Sequence, residues 1–212
     1  MGEQETASCA QAKAAALRVL LAPGLSGKVF LEGGLVPWVL GGGDSGREHG
    51  DVDFSVRLTD MPAIRVWLEA EGIYDPDLDS RLLACNAAAE DFGVHARVDG
   101  VLASFAPFFA RGGALVQRNA QHRAFAGYEA LLEATIEGIA EEDFVEMREL
   151  PDGTSIGVST AEACRAAKVA SAREKDLADV AALDRLGWDE ARMERVMKAF
   201  ATMQVACPAY GE

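Results

Sequence analysis

Hydrophobic and polar residues alternate over Asp51–Arg57, which is the pattern of a half-buried β-strand. Because successive side chains of a strand point to opposite faces, Val52, Phe54 and Val56 share one face and the acidic residues share the other. A second apolar run, residues 28–32, predicts a strand that leads into a glycine pair. A glycine-rich stretch therefore lies between two predicted strands.

Helical spacing and hairpin signals account for most of the remaining chain. Helices are predicted over residues 4–22, 35–40, 128–137 and 176–186, between Asp60 and Gly72, around Lys168 and after Asp189. Hairpins are predicted over residues 92–109 and 144–158, with one more strand over residues 113–118. The order of elements predicts an α/β (α+β) core over residues 1–127 and a smaller, helix-rich part over residues 128–212 packed on that core.

The chain has 212 residues, half of them hydrophobic, with 20 Lys and Arg against 34 Asp and Glu and a formal net charge of −14. Such a large hydrophobic fraction predicts a packed core and excludes a disordered chain. Nucleic-acid-binding proteins need basic faces to displace counterions, so the acidic balance argues against a general polyanion binder. We expect no extended nucleic acid among the partners.

The cysteines and the apolar stretches indicate the compartment. The four cysteines are far apart in the sequence, and none lies beside a histidine: Cys9, Cys85, Cys164 and Cys207. That spacing predicts neither a zinc site nor a disulfide framework, and reduced thiols are typical of the cytoplasm. The longest apolar stretch, residues 101–110, is too short to cross a bilayer, and the polar N-terminus does not resemble a signal peptide. We expect a soluble, cytoplasmic protein without a membrane partner.

Asp51 and Asp53 form the first candidate chemical site. Strand geometry projects both carboxylates from one face, about 6 to 7 Å apart along the strand. Carboxylate oxygens without clustered Cys or His favour magnesium or manganese over zinc. Because magnesium held by few carboxylates completes its shell with water and substrate phosphates, the pattern indicates phosphate chemistry. The alternative is a solvated strand face.

The glycine pair Gly33-Gly34 and Arg47 fit the same chemistry. Glycine lets a turn approach a ligand closely, and the amides of the turn and of the helix that follows can face an anion. Arg47 supplies a cation for a phosphate in an otherwise acidic chain. We therefore expect these three residues to bind a phosphorylated ligand.

The segment FLEGGLVPWVLGGGDSGREHGDVDFSV, residues 30–56, resembles the nucleotidyltransferase superfamily, which has a DNA polymerase beta-like fold. Its signature is a glycine pair followed, a dozen or more residues later, by Asp-x-Asp. The Arg-x-His-x-Asp-x-Asp form that begins at Arg47 resembles the branch of lincosamide and aminoglycoside nucleotidyltransferases. Residues 159–183, STAEACRAAKVASAREKDLADVAAL, also resemble the Lys…Lys-Asp-Leu-x-Asp helices of that branch and of nucleotidyltransferase toxins. The resemblance implies a mixed β-sheet core flanked by helices.

The resemblance also implies a reaction. A nucleoside monophosphate would pass from a nucleoside triphosphate, such as ATP, to an acceptor hydroxyl, with magnesium (or manganese) as cofactor and pyrophosphate as leaving group. Asp51 and Asp53 would be the catalytic metal ligands. The nucleotide would be bound by the glycine pair together with Arg47, His49 and Lys168.

The third carboxylate of the superfamily is where this chain departs from the pattern. It often stands on a strand just before a proline, but residues 101–107 read VLASFAP here, and Ser104 occupies the expected position. Asp99 is nearby, in the predicted turn before Gly100. Two alternatives follow: Asp99 is the third metal ligand, or the site lacks a third carboxylate and the transferase activity is weakened or lost.

Other polar residues have two interpretations each. His49 contacts substrate, or it packs against its neighbours in a loop. Lys168, with Arg173 and Lys175, binds phosphates or forms ordinary helix ion pairs, the carboxylate partners being Glu174, Asp176 and Asp179. A further basic cluster consists of Arg111, Arg118, His122 and Arg123. That cluster attracts the nucleotide or the acceptor, or it borders a sheet.

The acidic balance favours a cationic small molecule, such as an antibiotic, or a protein hydroxyl as the acceptor. Two other functions stay open. One is a nucleotide-binding module that has lost the chemistry, which would bind nucleotide without releasing pyrophosphate. The other is a toxin-like nucleotidyltransferase restrained by an antitoxin, which a neighbouring antitoxin gene or growth arrest on expression would reveal.

Overall fold

The computed structural model describes residues 7–41, 43, 47–121 and 130–207 and confirms a mixed α/β fold. The α-helices are α1 (Cys9–Leu20), α2 (Val36–Val39), α3 (Met61–Ala70), α4 (Glu141–Phe144), α5 (Ala161–Ser171), α6 (Leu177–Leu183) and α7 (Glu190–Ala201). The strands are β1 (Val29–Glu32), β2 (Val52–Arg57), β3 (Tyr74–Asp79), β4 (Val94–Val98), β5 (Val101–Arg111), β6 (Ala114–Gln121), β7 (Ala130–Glu137), β8 (Val145–Glu149), β9 (Ser155–Ser159) and β10 (Gln204–Ala206). None of the helices in these ranges is long and apolar enough to cross a membrane.

The strands join one mixed sheet. Its main order is β10-β7-β6-β5-β2-β1-β9-β8, and β4 pairs with the first half of β5 and with β3. β2 runs parallel to β5, and β1 runs parallel to β9, whereas the other pairs are antiparallel. Strands from both sides of residue 127 are therefore hydrogen-bonded within the same sheet.

One face of the sheet packs against α1 and α3. The apolar side of β2 points this way, with Val52, Phe54 and Val56 buried as the alternation predicts. The Phe54 ring stacks on Phe105 of β5 with 5.2 Å between ring centroids, and Trp67 of α3 meets Phe105 edge to face. The opposite side of β2, which carries the carboxylates, therefore faces away from these two helices.

The other face is covered over part of its area by α5 and α7. Phe30 of β1 and Phe108 of β5 meet edge to face at 6.0 Å and are packed in one cluster with Ala163, Val196 and Phe200 of the two helices. The polar residues of β1, β2 and β5 lie on this same face, beside that cluster. The fold thus places an acidic strand face next to the packed C-terminal helices.

The hairpins predicted around Asp99-Gly100 and around residues 151–153 are confirmed as β4–β5 and β8–β9. The helix predicted over residues 128–137 is wrong where the structure describes it, because Ala130–Glu137 is strand β7. This strand pairs along its eight residues with β6 and, on its other edge, with β10. Two rows of backbone hydrogen bonds outweigh the helix propensity of its Ala, Leu and Glu residues. Tyr128, at the start of the predicted helix, lies outside the described residues.

The contact between β1 and β9 predicts the effect of Gly157→Ala. A Cβ at Gly157 would overlap the backbone carbonyl of Val29 and crowd the Phe30 ring, which lies 2.8 Å from the Cβ position. Because neither neighbour is a flexible side-chain end, we expect a loss of about 1–3 kcal/mol in the free energy of unfolding. Denaturant unfolding measures this loss. Ser155→Ala, at an exposed position of the same strand, is the control, and an equal effect of the two substitutions would contradict the close packing.

Candidate active site

Strand pairing brings four polar residues into one row across the sheet. Glu32 of β1 pairs with Asp53 of β2, and Asp53 pairs with Ser104 of β5. Ser104 in turn pairs with His95 of β4. Directly paired residues project their side chains from the same face of a sheet. The row Glu32, Asp53, Ser104, His95 therefore lies on the face opposite α1 and α3.

The turn after β1 presses against this row. Gly33 has a φ angle of +76°, and a Cβ there would lie 2.8 Å from Oδ2 of Asp53. A Cβ at Gly34 would overlap the guanidinium of Arg47 and approach the His49 ring to 3.0 Å. Glycine is required at the first position by its backbone conformation and its neighbour, and at the second by close contact alone. The structure thus brings together five of the residues that the sequence singles out.

Asp51 and Asp53 are partly buried carboxylates whose charge is not matched by an ion pair among the described residues. Within the described residues, neither accepts a hydrogen bond or joins an ion pair. Burial, with the negative charges of Asp51 and Glu32 nearby, raises the pKa of Asp53 to about 8, although Lys168 and Lys175 oppose this rise. The nearby cations are therefore not enough to keep Asp53 ionised at neutral pH.

Glu32 is a site residue that the sequence analysis missed. Its Oε2 accepts hydrogen bonds from Ser55 Oγ at 2.6 Å and from Gln117 Nε2 at 2.9 Å. Burial raises the pKa of the Glu32 carboxyl, whereas these two hydrogen bonds and the charge of Lys168 lower it. The available signal was its position directly before the glycine pair, at the end of a strand that pairs with the acidic one.

Arg47 and Lys168 meet at Asp179 of α6, which the sequence indicated only as an ordinary ion-pair partner within the helices. Arg47 donates from Nη2 to Oδ2 at 3.1 Å and from Nε to Oδ1 at 3.4 Å, and Lys168 Nζ lies 2.7 Å from Oδ2. The Asp179 side chain is 0% exposed and that of Lys168 is 5% exposed. Lys168 is also 3.4 Å from Asp176, which Arg173 binds at 2.7 Å. Lys168 is thus ion-paired, as one of its two interpretations expects, but at a buried position near Asp53.

His49 is fixed by backbone hydrogen bonds and by packing of its ring. It forms an antiparallel bridge with Ala7, through hydrogen bonds of 2.8 and 3.0 Å. The residue is 3% exposed, and its ring lies against the Gly34 position. This geometry favours the packing interpretation of His49 over direct contact with substrate.

The structure does not bring Asp99 to the row. Asp99 occupies the turn between β4 and β5 with a φ of +51° and forms an ion pair with Arg18 of α1. Since α1 covers the opposite face of the sheet, Asp99 is not placed to share a ligand with Asp53. Ser104 stands at that position instead, directly paired with Asp53 and 4% exposed. Of the two alternatives, the geometry favours a site without a carboxylate on β5.

The donors that remain suit a particular kind of cation. No three His, Cys, Asp or Glu side chains of the described residues are grouped to hold a metal ion. Asp53 of β2 and Asp51, directly before that strand, nevertheless offer four hard oxygen atoms, and the two carboxylates are close enough for the charge of Asp51 to act on Asp53. Such a pair fits a magnesium-like ion that takes its other ligands from water and phosphate. The residues therefore fit the expected cofactor as a site completed by substrate.

The basic cluster is engaged in pairing at the sheet. Arg118 lies between the rings of Phe92 and Phe109, at 4.8 and 5.1 Å from their centroids, and donates to Glu133 at 2.8 Å. Arg111 binds the same Glu133. These contacts favour the interpretation in which the two arginines border the sheet. His122 and Arg123 lie outside the described residues.

No protein-family model matches the chain, and no curated protein matches it significantly. The fold and the site define a mixed α/β protein in which two carboxylates, one on a central strand and one directly before it, have no ion pair among the described residues and lie beside a glycine turn.

The raised pKa of Asp53 predicts how Asp53→Asn changes the pH dependence of stability. The native state keeps a proton on Asp53 up to about pH 8, whereas the unfolded chain releases it near the ordinary value of 3.8. The contribution of this group is therefore complete below about pH 4 and is lost as the pH rises through about 8. Because asparagine removes that loss, the variant should melt higher than the wild type at pH 9 and nearly equally at pH 4.

Melting curves from pH 4 to 9 in the presence of a chelator test this expectation. Asp77→Asn, at an exposed position of β3, is the matched control and should follow the wild type throughout. Parallel pH profiles for Asp53→Asn and the wild type would show that the pKa of Asp53 is not raised.

Proposed function

We propose that the chain is a magnesium-dependent nucleotidyltransferase that moves a nucleoside monophosphate from a nucleoside triphosphate to an acceptor hydroxyl. The observation that carries the proposal is the pair Asp51 and Asp53, which has no hydrogen-bond or ion-pair partner among the residues that the structure describes and lies beside the Gly33-Gly34 turn. A solvated strand face would not need a glycine whose Cβ position is closed by Asp53. The geometry instead suits a charged ligand that enters at the turn.

In this proposal the acidic residues bind the metal ion and the basic residues bind phosphate. Asp51 and Asp53 would hold magnesium or manganese, which when bound neutralises phosphate charge and activates the acceptor hydroxyl. Arg47 contributes positive charge at Gly34, and Lys168 is close enough for its charge to act on Asp53, so the two cations can bind phosphate oxygens beside the turn. The turn itself brings backbone close to the ligand because Gly33 and Gly34 have no side chains.

The reaction exchanges one bond at phosphorus for another. A bond forms between the acceptor oxygen and the α-phosphorus, the bond from that phosphorus to its bridging oxygen breaks, and pyrophosphate leaves with the electron pair. A general base takes the acceptor proton. With a net charge of −14, the chain favours a cationic small molecule or a protein hydroxyl over an extended nucleic acid as acceptor.

A second candidate function is a nucleotide-binding module whose chemistry is weakened. The observation that favours it is Ser104, which pairs directly with Asp53 on the strand where the superfamily signature has a carboxylate. A serine hydroxyl binds a hard cation less strongly than a carboxylate does. Nucleotide binding would then persist while pyrophosphate release is slow.

The double variant Asp51→Asn/Asp53→Asn tests the proposed site. In thermal-shift measurements with ATP, GTP, CTP and UTP, each with and without magnesium, at least one nucleotide should stabilise the wild type only when magnesium is present. At 100 times its dissociation constant a ligand stabilises by about 2.7 kcal/mol, and the variant should lose this gain. Without ligand, the variant should melt at the wild-type temperature or above it, since like charges have been removed.

The control for this experiment is Asp75→Asn/Asp77→Asn, which removes two exposed carboxylates at the same spacing on β3. It should retain the full magnesium-dependent shift. A site variant that still binds magnesium and nucleotide normally would contradict the proposal.

Ser104→Asp distinguishes the two candidate functions. It places a third carboxylate beside Asp53 and, if the missing ligand limits the reaction, should raise the rate of pyrophosphate release by about tenfold or more. The same variant should be less stable than the wild type at neutral pH without metal, because it adds a negative charge to an acidic site. Ser155→Asp on β9 is the control. An unchanged rate in a variant that binds nucleotide would show that Ser104 is not what limits the chemistry.

A further inference from the structure

A completely buried carboxylate connects the two cations of the site. Asp179 uses both of its oxygens for Arg47 and one of them also for Lys168, at distances between 2.7 and 3.4 Å. Arg47 comes from the segment after the glycine-rich stretch, and Lys168 comes from α5. The contact therefore joins two parts of the chain that no regular element holds together.

Neither cation has an equivalent partner elsewhere among the described residues. Apart from Asp179, Arg47 donates only to the carbonyl oxygen of Glu48, at 3.1 Å. Lys168 has a longer contact, 3.4 Å, with Asp176. Asp176 is itself engaged by Arg173 and by the hydroxyl of Ser171. Asp179 thus determines where both positive charges lie.

Arg47 also contacts the glycine turn, which places its positive charge beside Gly34. Its guanidinium covers Gly34, and the adjacent Gly33 touches the carboxylate of Asp53. A ligand with several phosphates that reaches the metal-binding carboxylates therefore passes along the turn towards Arg47. The Arg47 side chain is 24% exposed, so part of it faces solvent that such a ligand would displace.

We propose that Asp179 is a positioning residue that orients Arg47 and Lys168 to bind the phosphate chain of a nucleoside triphosphate. This inference rests on the proposed function. Arg47, Lys168 and Arg173 bring three positive charges to the two carboxylates Asp176 and Asp179, so positive charge remains for the ligand. A fixed guanidinium also binds phosphate with less loss of side-chain freedom than a mobile one.

In the opposite role, Asp179 would compete with phosphate for the same cations and so inhibit nucleotide binding. Complete burial argues against it, because a ligand cannot take the place of a carboxylate that has no path to solvent without unpacking α6. The two roles predict opposite changes in nucleotide affinity when Asp179 is replaced. Removing a positioning residue weakens nucleotide binding, whereas removing a competitor strengthens it.

Asp179→Asn is the direct test, with titrations of ATP, GTP, CTP, UTP and inorganic tripolyphosphate, each in the presence of magnesium. We expect the affinity for the triphosphates and for tripolyphosphate to fall about tenfold or more, and that for the corresponding monophosphates to fall less, because fewer phosphates reach the two cations. A purely structural role would weaken all of these ligands alike. The control is Asp184→Asn, which breaks the partly exposed ion pair with Arg165 at the end of the same helix.

Arg47→Lys covers the case in which loss of Asp179 prevents folding. It keeps the charge at a partly exposed position but cannot reproduce the two-point contact with Asp179. If orientation matters, Arg47→Lys should lose most of the triphosphate affinity that Arg47→Gln loses. Wild-type affinity in Arg47→Lys, or unchanged or tighter binding in folded Asp179→Asn, would overturn the inference. A wild-type chain that binds none of the four magnesium nucleotides would instead overturn the proposed function and this inference with it.

Discussion

The two faces of β2 impose the arrangement of the rest of the protein. One face carries Val52, Phe54 and Val56 and must be covered by apolar surface, which α1 and α3 supply. The other face carries Asp51 and Asp53, and burying it beside apolar surface alone would leave ionised groups without a favourable environment. The cations beside this face come from distant segments rather than from a neighbouring strand: Arg47 and Lys168 are both ion-paired with Asp179, and Lys168 acts on Asp53 only through its charge. The C-terminal helices are consequently part of the site as well as part of the core.

The elements whose pattern is local could be predicted from the sequence. Alternation over residues 51–57 identified β2 and assigned its faces correctly, and turn residues identified the β4–β5 and β8–β9 hairpins. The strand at Ala130–Glu137 could not be predicted in this way, because its residues favour a helix and only pairing with β6 and β10 makes it a strand. The strand at Tyr74–Asp79 was missed for a related reason, since it contains Pro76 and three aspartates.

In the candidate site, too, residues in one local segment could be predicted, whereas contacts between distant segments could not. The sequence indicated Gly33, Gly34, Arg47 and Asp53 because they lie within one short segment with recognisable spacing, and the structure brings them into contact. Asp179 was seen only as a helix charge, because its contact with Arg47 spans 132 residues and depends on how α6 packs. The choice between Asp99 and Ser104 required the register of β5 against β2, which no local pattern determines.

Buried charged residues elsewhere in the described part of the chain are ion-paired, in contrast to Asp51 and Asp53. Arg65 is 5% exposed and is matched by Asp79 and Asp91, at 2.6 and 2.7 Å. Asp143 is likewise buried and is bound by Arg195. Removing one partner of such a pair is costly, so a chain that pairs these carboxylates shows that its fold can supply cations where stability requires them.

Asp51 and Asp53 are treated differently, although arginine and lysine lie within reach. Arg47 and Lys168 are directed to Asp179, and the two aspartates keep no ion pair among the described residues. A buried carboxyl whose pKa is raised to about 8 costs stability at neutral pH, because the unfolded chain ionises it freely, and a bound cation would offset that cost. The uneven distribution of partners, more than the number of acidic residues, is therefore the observation that supports the proposed binding of a cation at this strand face.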